Sequence, residues 1–564
     1  MKIVSIIKPL DIKLNCQDVF YILNITEKPD YISFLDSSLL PNKYSNFSYI
    51  AWEPDFVIRG FSDKNEVLNM SDNSIITSRE NPLFFLKNIF GKNIFWDNGG
   101  KKLNFNGRHF ITEIKKIYID GSRIIHFDNN DEIGAMMPDF VGGFVGYISY
   151  DLKNYIERLP QTVKDDINNP LFYFAYYSRF LAYSHKFSKW FMINNFALSE
   201  DSDVYENSDI GKNSDSDINS DNPGIKIKNT RKGNSNLWSG LLDKSTYRSS
   251  KIIQSLTPEI WGKKESIKEL IIKKYLNKKI DGIELKSNFT KNDYLKAVLK
   301  AKEYIYNGDI YQVNMTQRFN CNLKVEPYDL YYILRQKNAA PFSAYLGFPE
   351  LKVGSSSPER FLFLKEGIIE TRPIKGTRPR GNNDREDEMY IDQLKNSIKD
   401  RAELNMIVDL ERNDLGRFCK YGTVKVKEHA VVEKYARVFH LVSTVIGRVK
   451  EGYDIVDILR AAFPGGSITG APKIRAMEII DELEPTIRGV YTGTIGYVGV
   501  DGTLDLNIVI RTFIIKGQRF YYNVGGGIVE DSEPYAEYQE TLDKGLALKE
   551  TLEFFSYKNL SKLL

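Results

Sequence analysis

Between Ser199 and Gly224 the chain reads SEDSDVYENSDIGKNSDSDINSDNPG, where Asp, Ser and Asn dominate and almost nothing apolar remains to offset the entropy of ordering a backbone. A disordered insertion is expected there, so folding must rest on what lies to either side. The residues that follow, IKIKNTRKG through IIKKYLNKKID, are basic. The whole of 199–285 therefore reads as a low-complexity, charged insertion, more a solvated tether than an arm for nucleic acid. It separates a region 1–198 from a region 286–564. At 42% hydrophobic and 13% aromatic over 564 residues, the flanks can still bury two cores or one very large one. Lys and Arg number 77 against 74 Asp and Glu, a net charge of +3 that provides no field for nucleic acid or a membrane, so a small-molecule substrate is expected. Cys16, Cys321 and Cys419 lie too far apart for a zinc-ligand spacing and are too few for a disulfide framework. With no apolar leader segment and no run of about 18 apolar residues, a soluble cytoplasmic protein is expected.

From about residue 10 to 195, short β-branched and aromatic runs such as FSYIAW and FVGGFVGYISYDL alternate with turn residues, which predicts a mostly β region. After the insertion, Thr290 and Asp293 offer a cap, and Leu295, Val298, Leu299 and Ile305 recur at helical spacing up to Gly308. Beyond it, strand-like runs (GTIGYVGV, LNIVIRTFII) alternate with amphipathic helices around 386–415 and 536–555. The expected class is α+β.

Two helical segments carry acids three residues apart, Asp400 with Glu403 and Glu537 with Glu540. Glu403 shares its stripe with Met406, Ile407 and Leu410, and Glu540 shares its own with Lys544, Ala547 and Leu548, which would put carboxylates on buried faces. Two such helices facing each other would converge four oxygen donors on a hard cation such as Mg²⁺. The alternative is an ordinary Glu540–Lys544 salt bridge and a solvated Asp400. In TRPIKGTRPRG, Arg372, Arg378 and Arg380 crowd Lys375, and neighbouring cations would favour its neutral, nucleophilic amine; a basic loop facing solvent is the alternative. Upstream, Glu359 in GSSSPER is a candidate general acid if apolar surroundings raise its pKa. Glycine-rich turns at 463–473, 488–497 and 523–532 could bring backbone N–H groups to a carboxylate, with Arg511 as a bidentate clamp. None of them has the form of a nucleotide-binding loop.

Together and in order, SPER, PIKGTRPRG, DRAELNMIVDLERNDLGR, FHLVSTVIG, GGSITGAPKIRAM, YTGTIGY, IRTF, GGGIVEDS and the E-x-x-E-T-x-x-K of 537–544 resemble the chorismate-utilising enzymes. The likeness is dense from about Phe289 to Lys544 and thinner at FLDSS (34–38) and GGFVGYISYD (142–151). It implies a large fold of two packed β-sheets flanked by helices, with the active site in the C-terminal half. It also implies roles. Glu403 and Glu540 would bind Mg²⁺ directly, with Asp400 and Glu537 acting through water; Asp400 stands where relatives often have glutamate. Tyr491, Arg511 and the backbone of Gly525, Gly526 and Gly527 would hold the enolpyruvyl carboxylate, and Lys544 the ring carboxylate. His440, Ser467 and Gly470 would line the ring.

Lysine at position 375, where the anthranilate-forming branch has alanine, implies amination of chorismate to 4-amino-4-deoxychorismate, toward 4-aminobenzoate and folate. Lys375 would be the nucleophile and Glu359 the acid. Anthranilate formation is the alternative, and a catalytically inactive binding or regulatory relative is the non-enzyme alternative. No glutaminase signature occurs in the chain, so ammonia is expected from a separate glutamine amidotransferase subunit. Relatives carry a tryptophan pocket that Leu35, Asp36 and Ser37 would line, although these residues also suit an ordinary strand exit.

Overall fold

A computed structural model describes residues 2–39, 46–92, 113–120, 123–126, 137–198, 202–205, 226–229, 266–278, 280, 283–435 and 437–562. Among the described residues, one sheet of fourteen strands and one of twelve form the frame, antiparallel except where Lys2–Leu10 pairs parallel with Glu113–Asp120. Both sheets cross the two halves of the chain. In the larger, Phe342–Gly347 pairs with Ile32–Asp36, Ser343 opposite Asp36. In the smaller, Thr494–Gly499 pairs with Gly143–Ile148, Thr494 opposite Ile148. The regions 1–198 and 286–564 are therefore halves of one fold, as alternating strands need a partner on each edge to satisfy their backbone groups. The α+β class and the two packed sheets hold.

The main core lies between the sheets and draws apolar residues from both halves, from Phe56, Phe140 and Phe174 to Phe361, Leu441 and Ile514. Central strands such as Gly143–Ile148 and Phe172–Tyr177 are buried along their whole length because both faces are covered. A second core lies on the other face of the larger sheet, under helices Cys16–Thr26, Pro327–Lys337 and Pro534–Phe554. Tyr331, buried there, donates to Asp36 Oδ2 at 3.0 Å.

Parts of the expected insertion are ordered. Ser202–Tyr205 pairs antiparallel with Lys226–Asn229, and helix Ile267–Leu276 begins with a capping box at Ser266 and Glu269. That helix buries Ile271, Ile272 and Tyr275, while Lys274 and Tyr275 both donate to Asp329 Oδ2 at 2.7 Å. Its apolar triplet sits inside a lysine-rich run, which is why the charge pattern concealed it. The remainder of 199–285 lies outside the described residues, apart from 266, 277–278, 280 and 283–285.

The helix after Thr290 runs Lys291–Tyr306 with Thr290 as its cap, as the sequence predicts. Its buried face is Tyr294, Ala297, Val298 and Ala301, so Leu299 is left 57% exposed. The single helix expected near 386–415 is two, Asp384–Asn396 and Ile398–Phe418, because Ser397 caps the second by accepting from Asp400 N at 3.2 Å. LNIVIRTFII likewise divides into Leu504–Asn507 and Thr512–Lys516, with Arg511 between them at φ 51°.

Candidate active site

The expected catalytic residues meet where an edge of the smaller sheet approaches the larger one. Lys375 lies on the edge strand Ile374–Pro379, paired with Val438–Arg448 and covered by helix Ile398–Phe418. Across from it runs Arg519–Ile528 of the larger sheet, backed by helix Pro534–Phe554. The two sheets touch through a glycine: a Cβ on Gly527 would lie 3.5 Å from Lys375 Nζ.

Burial holds the Lys375 amine below the usual lysine range, with Lys544 adding to the effect and Glu403, Glu359 and Glu540 opposing it. The direction is the one expected, but the cause is not. Arg372 is paired with Glu433 at 2.6 Å, Arg378 with Asp400 at 2.8 Å and Arg380 with Asp387 at 2.6 Å. Each arginine has its own acid, so the crowding of cations that the sequence suggested is neutralised locally.

Glu359 is 5% exposed, and burial lifts its pKa to about 7 against hydrogen bonds from Ser467 and the Ile374 backbone and the nearby charges of Lys375 and Arg511. A carboxyl in that state can deliver a proton near neutrality. His440 is buried, and burial, with Arg511 beside it, depresses its pKa to about 3. It is therefore a neutral ring. Its Nε2 stands 3.4 Å from Arg511 Nη2 and can only accept, which leaves Nδ1, 3.0 Å from Thr377 Oγ1, as the donor. Tyr435 packs edge-on against the ring at 4.9 Å and donates to Pro358 O at 3.4 Å, joining the histidine to the SPER turn. Tyr491 is buried, and burial raises its phenol above the usual range.

The four acids are not gathered as the sequence suggested. Glu537, not Glu540, is the buried member of its helix: it is 7% exposed, whereas the Glu540 side chain is 50% exposed and forms the i,i+4 bridge to Lys544 at 2.6 Å. The buried stripe is Glu537, Thr541, Gly545, Leu548 and Leu552, one position away from the expected one. Among the described residues, no three acids, histidines or cysteines stand at metal-holding distance. Even so, the donor set fits a hard cation. Glu537 Oε2 is buried with no hydrogen-bond partner. A Cβ on Gly526 would lie 3.1 Å from that oxygen and 3.4 Å from Glu540 Oε1, so two carboxylates converge over a glycine. Glu403 and Asp400 come from the facing helix, both half-buried.

The glycines divide by role. Gly525 O accepts from Lys544 Nζ at 3.1 Å. Gly526 faces the acid pair and Gly527 faces Lys375. At Gly470, φ 150° would put a Cβ 2.2 Å from Gln312 O, so glycine is required there for strand Gly470–Ala471 to pair with Gln312–Asn322.

Two residues of the site escaped the reading of the sequence. Glu411 is buried and accepts from Gly466 N at 3.2 Å and Thr371 Oγ1 at 3.3 Å, tying the turn that carries Ser467 to the strand that leads to Lys375. Burial, then Asp414, lifts its pKa to about 8. Gln312 is fully buried, with neither end of its amide hydrogen-bonded.

Leu35, Asp36 and Ser37 line a different place, a cavity of about 520 Å³ between the sheets that contains none of Lys375, Glu359 or the four acids. Phe47, Tyr49, Phe342 and Tyr497 contribute to its walls, and Asp139, Lys365, Arg360 and Asp505 supply charge. The Asp36 carboxylate is engaged by Tyr331 and Arg335, so it is not a free ligand group.

A family described as chorismate binding enzyme matches residues 92–550. Aminodeoxychorismate synthase component 1 of Bacillus subtilis (strain 168) is 39% identical over 79% of this chain and 86% of its own length. Anthranilate synthase component 1 of Acetivibrio thermocellus is 33% identical over 91% of this chain and 88% of its own. In structure, anthranilate synthase component I from Streptococcus pneumoniae TIGR4 superposes with a TM-score of 0.64 at 27% identity, covering 90% of this chain and 92% of that one. A match over most of the chain, a fold shared end to end and the acid–lysine pair at the junction of the sheets lead to one conclusion: the chain belongs to the chorismate binding enzymes.

Proposed function

We propose that this chain is an aminodeoxychorismate synthase component 1, a Mg²⁺-dependent enzyme that converts chorismate and ammonia to 4-amino-4-deoxychorismate on the route to 4-aminobenzoate and folate. The observation that carries the reading is Lys375, a half-buried lysine whose burial draws its pKa below the usual lysine range, in one site with a carboxyl of pKa about 7. Relatives of both names are similarly close, so the reading rests on the lysine rather than on overall identity.

The amine adds to C2 of the ring while the double bonds shift and the C4 hydroxyl leaves as water with the Glu359 proton. Ammonia then adds at C4, the double bonds return, and Lys375 departs from C2. The Glu359 carboxylate takes up the proton that the incoming ammonia sheds, so the acid is restored. Arg511, from whose Nη2 neutral His440 can accept, presents donors to the enolpyruvyl carboxylate beside Tyr491, and Lys544 does so for the ring carboxylate. Mg²⁺, when bound, would withdraw electron density through the ring carboxylate. Glu403 and Glu540 would hold it, with Asp400 and Glu537 acting through water, once Lys544 turns from Glu540 to the substrate.

Ammonia comes, in this reading, from a separate glutamine amidotransferase in the cytoplasm; the buried thiols of Cys16, Cys321 and Cys419 suit no glutaminase nucleophile. The aromatic walls and charged ends of the cavity at Leu35 and Ser37 suit tryptophan. The test is to supply the purified chain with chorismate, Mg²⁺ and an ammonium salt and to identify the product. Aminodeoxychorismate formation that is lost in Lys375→Ala supports the proposal. Fluorescent anthranilate with free pyruvate would assign the chain to the other branch, and no turnover even with an amidotransferase would mark a non-catalytic homologue.

A further inference from the structure

Gln312 opens strand Gln312–Asn322 and is wholly inaccessible to solvent, yet neither its Oε1 nor its Nε2 has a hydrogen-bond partner. A buried amide left unpaired at both ends is costly to the fold, so a position that served the fold alone would be better filled by an apolar side chain. Its surroundings indicate what it serves. The point where a Gly527 Cβ would lie is 3.0 Å from Gln312 Nε2 and 3.5 Å from Lys375 Nζ. Both groups thus border the space that a side chain on Gly527 would fill. Rotating the amide about its last bond exchanges its two ends, so the oxygen can face the lysine as readily as the nitrogen.

We propose that Gln312 is a positioning residue for Lys375: its carboxamide oxygen accepts an N–H of the free amine across the Gly527 gap and so fixes the direction of the amine's lone pair. This inference rests on the reading of Lys375 as the nucleophile. A carboxamide suits the task because it orders an amine without adding charge, whereas a carboxylate would stabilise the ammonium. The charged groups that already act on the amine are Glu403, Glu359 and Glu540, which favour the ammonium, and Lys544, which opposes it. A neutral partner leaves that balance undisturbed.

The test uses the full chain carrying Gln312→Met and, separately, Gln312→Glu, with Lys375→Ala as the control. Met keeps the volume and removes the unpaired amide, so its unfolding temperature should equal or exceed that of the parent while kcat falls by about tenfold or more and KM for chorismate changes by less than about threefold. In Gln312→Glu, the acid limb of the kcat–pH profile should move to higher pH by about one unit, because the lysine must lose its proton beside a new carboxylate. If kcat of the Met variant stays within threefold of the parent, or if it falls together with the unfolding temperature, the inference is overturned. It is equally overturned if the pH profile of the Glu variant is unmoved. Aminodeoxychorismate formation that survives Lys375→Ala would instead remove the nucleophile reading itself, and the inference with it.

Discussion

The burial that makes Glu359 an acid should also make it a burden on the fold, and Glu359→Gln separates the two effects. In the native chain its carboxyl titrates at about 7 against an ordinary 4.5, chiefly because burial penalises the charged form. Between those values the native state binds more protons than the unfolded state, so stability falls as pH rises through the window and stays lower above it. At 1.36 kcal/mol per unit, the difference of about 2.5 units corresponds to roughly 3 kcal/mol at pH 8, fully absent below pH 4.5. Glutamine keeps the shape and can accept the hydrogen bond from Ser467, but it never charges. The variant should therefore gain about 3 kcal/mol relative to the parent between pH 4.5 and pH 8. Its turnover with ammonia should drop by about 10²–10⁴-fold, the usual contribution of a positioned proton donor. The assay is urea unfolding of both proteins at pH 4.5, 6 and 8, paired with kcat for chorismate at fixed free ammonia. A relative stability that does not change over that range would mean the carboxyl is not held neutral by burial. Retention of more than a tenth of the activity would mean it is not the acid.

Glu411→Leu should free Gly466 N and Thr371 Oγ1 and lower kcat by about tenfold, whereas Glu411→Gln, which can still meet both, should stay within twofold; steady-state kinetics on the pair decides it. Arg335→Met leaves the buried Asp36 carboxylate without its cation and should cost about 3–5 kcal/mol in chemical denaturation, with a far smaller loss if Asp36 is replaced by Asn in the same chain. Gly526→Ala places a methyl 3.1 Å from Glu537 Oε2 and 3.4 Å from Glu540 Oε1 and should weaken Mg²⁺ binding, measured by calorimetry, by at least about tenfold with little change in unfolding temperature.

The chemistry of the site was legible where a residue's role depends on its neighbours in the chain. Lys375 and Glu359 lie in proline-flanked segments, and the structure brings the two close enough for each to act on the other's charge. Where a role depends on which of several similar faces is buried, the sequence was ambiguous. Helix Pro534–Phe554 has apolar residues on nearly every side, so a shift of one position moved the buried acid from Glu540 to Glu537. The arginines around Lys375 read as a cluster because their partners, Asp387, Asp400 and Glu433, come from other elements. Gln312 left no signal at all, since a single polar residue in a β-run reads as an ordinary outward-facing position. Only the register against Arg519–Ile528 and the approach of Gly527 give it meaning.

That two sheets meet at Lys375 explains why the position of this site depends on both halves of the chain. Strand Ile374–Pro379 lies at the edge of its sheet, and an edge strand alone would set Lys375 loosely. Its position is fixed from three sides: by Val438–Arg448 through the backbone, by helix Ile398–Phe418 above, and by the glycines of the larger sheet across the junction. The separation of the sheets is set in turn by the aromatic core between them, to which residues 1–198 contribute Phe56, Tyr147 and Phe174 and residues 286–564 contribute Phe361, Phe463 and Leu506. A large-to-small change in that core, such as Phe174→Ala, would therefore be felt at Lys375 although the two share no contact. Cavities in such cores cost about 3–5 kcal/mol, and a shift of the order of 1 Å in a reacting group can cost a hundredfold in rate.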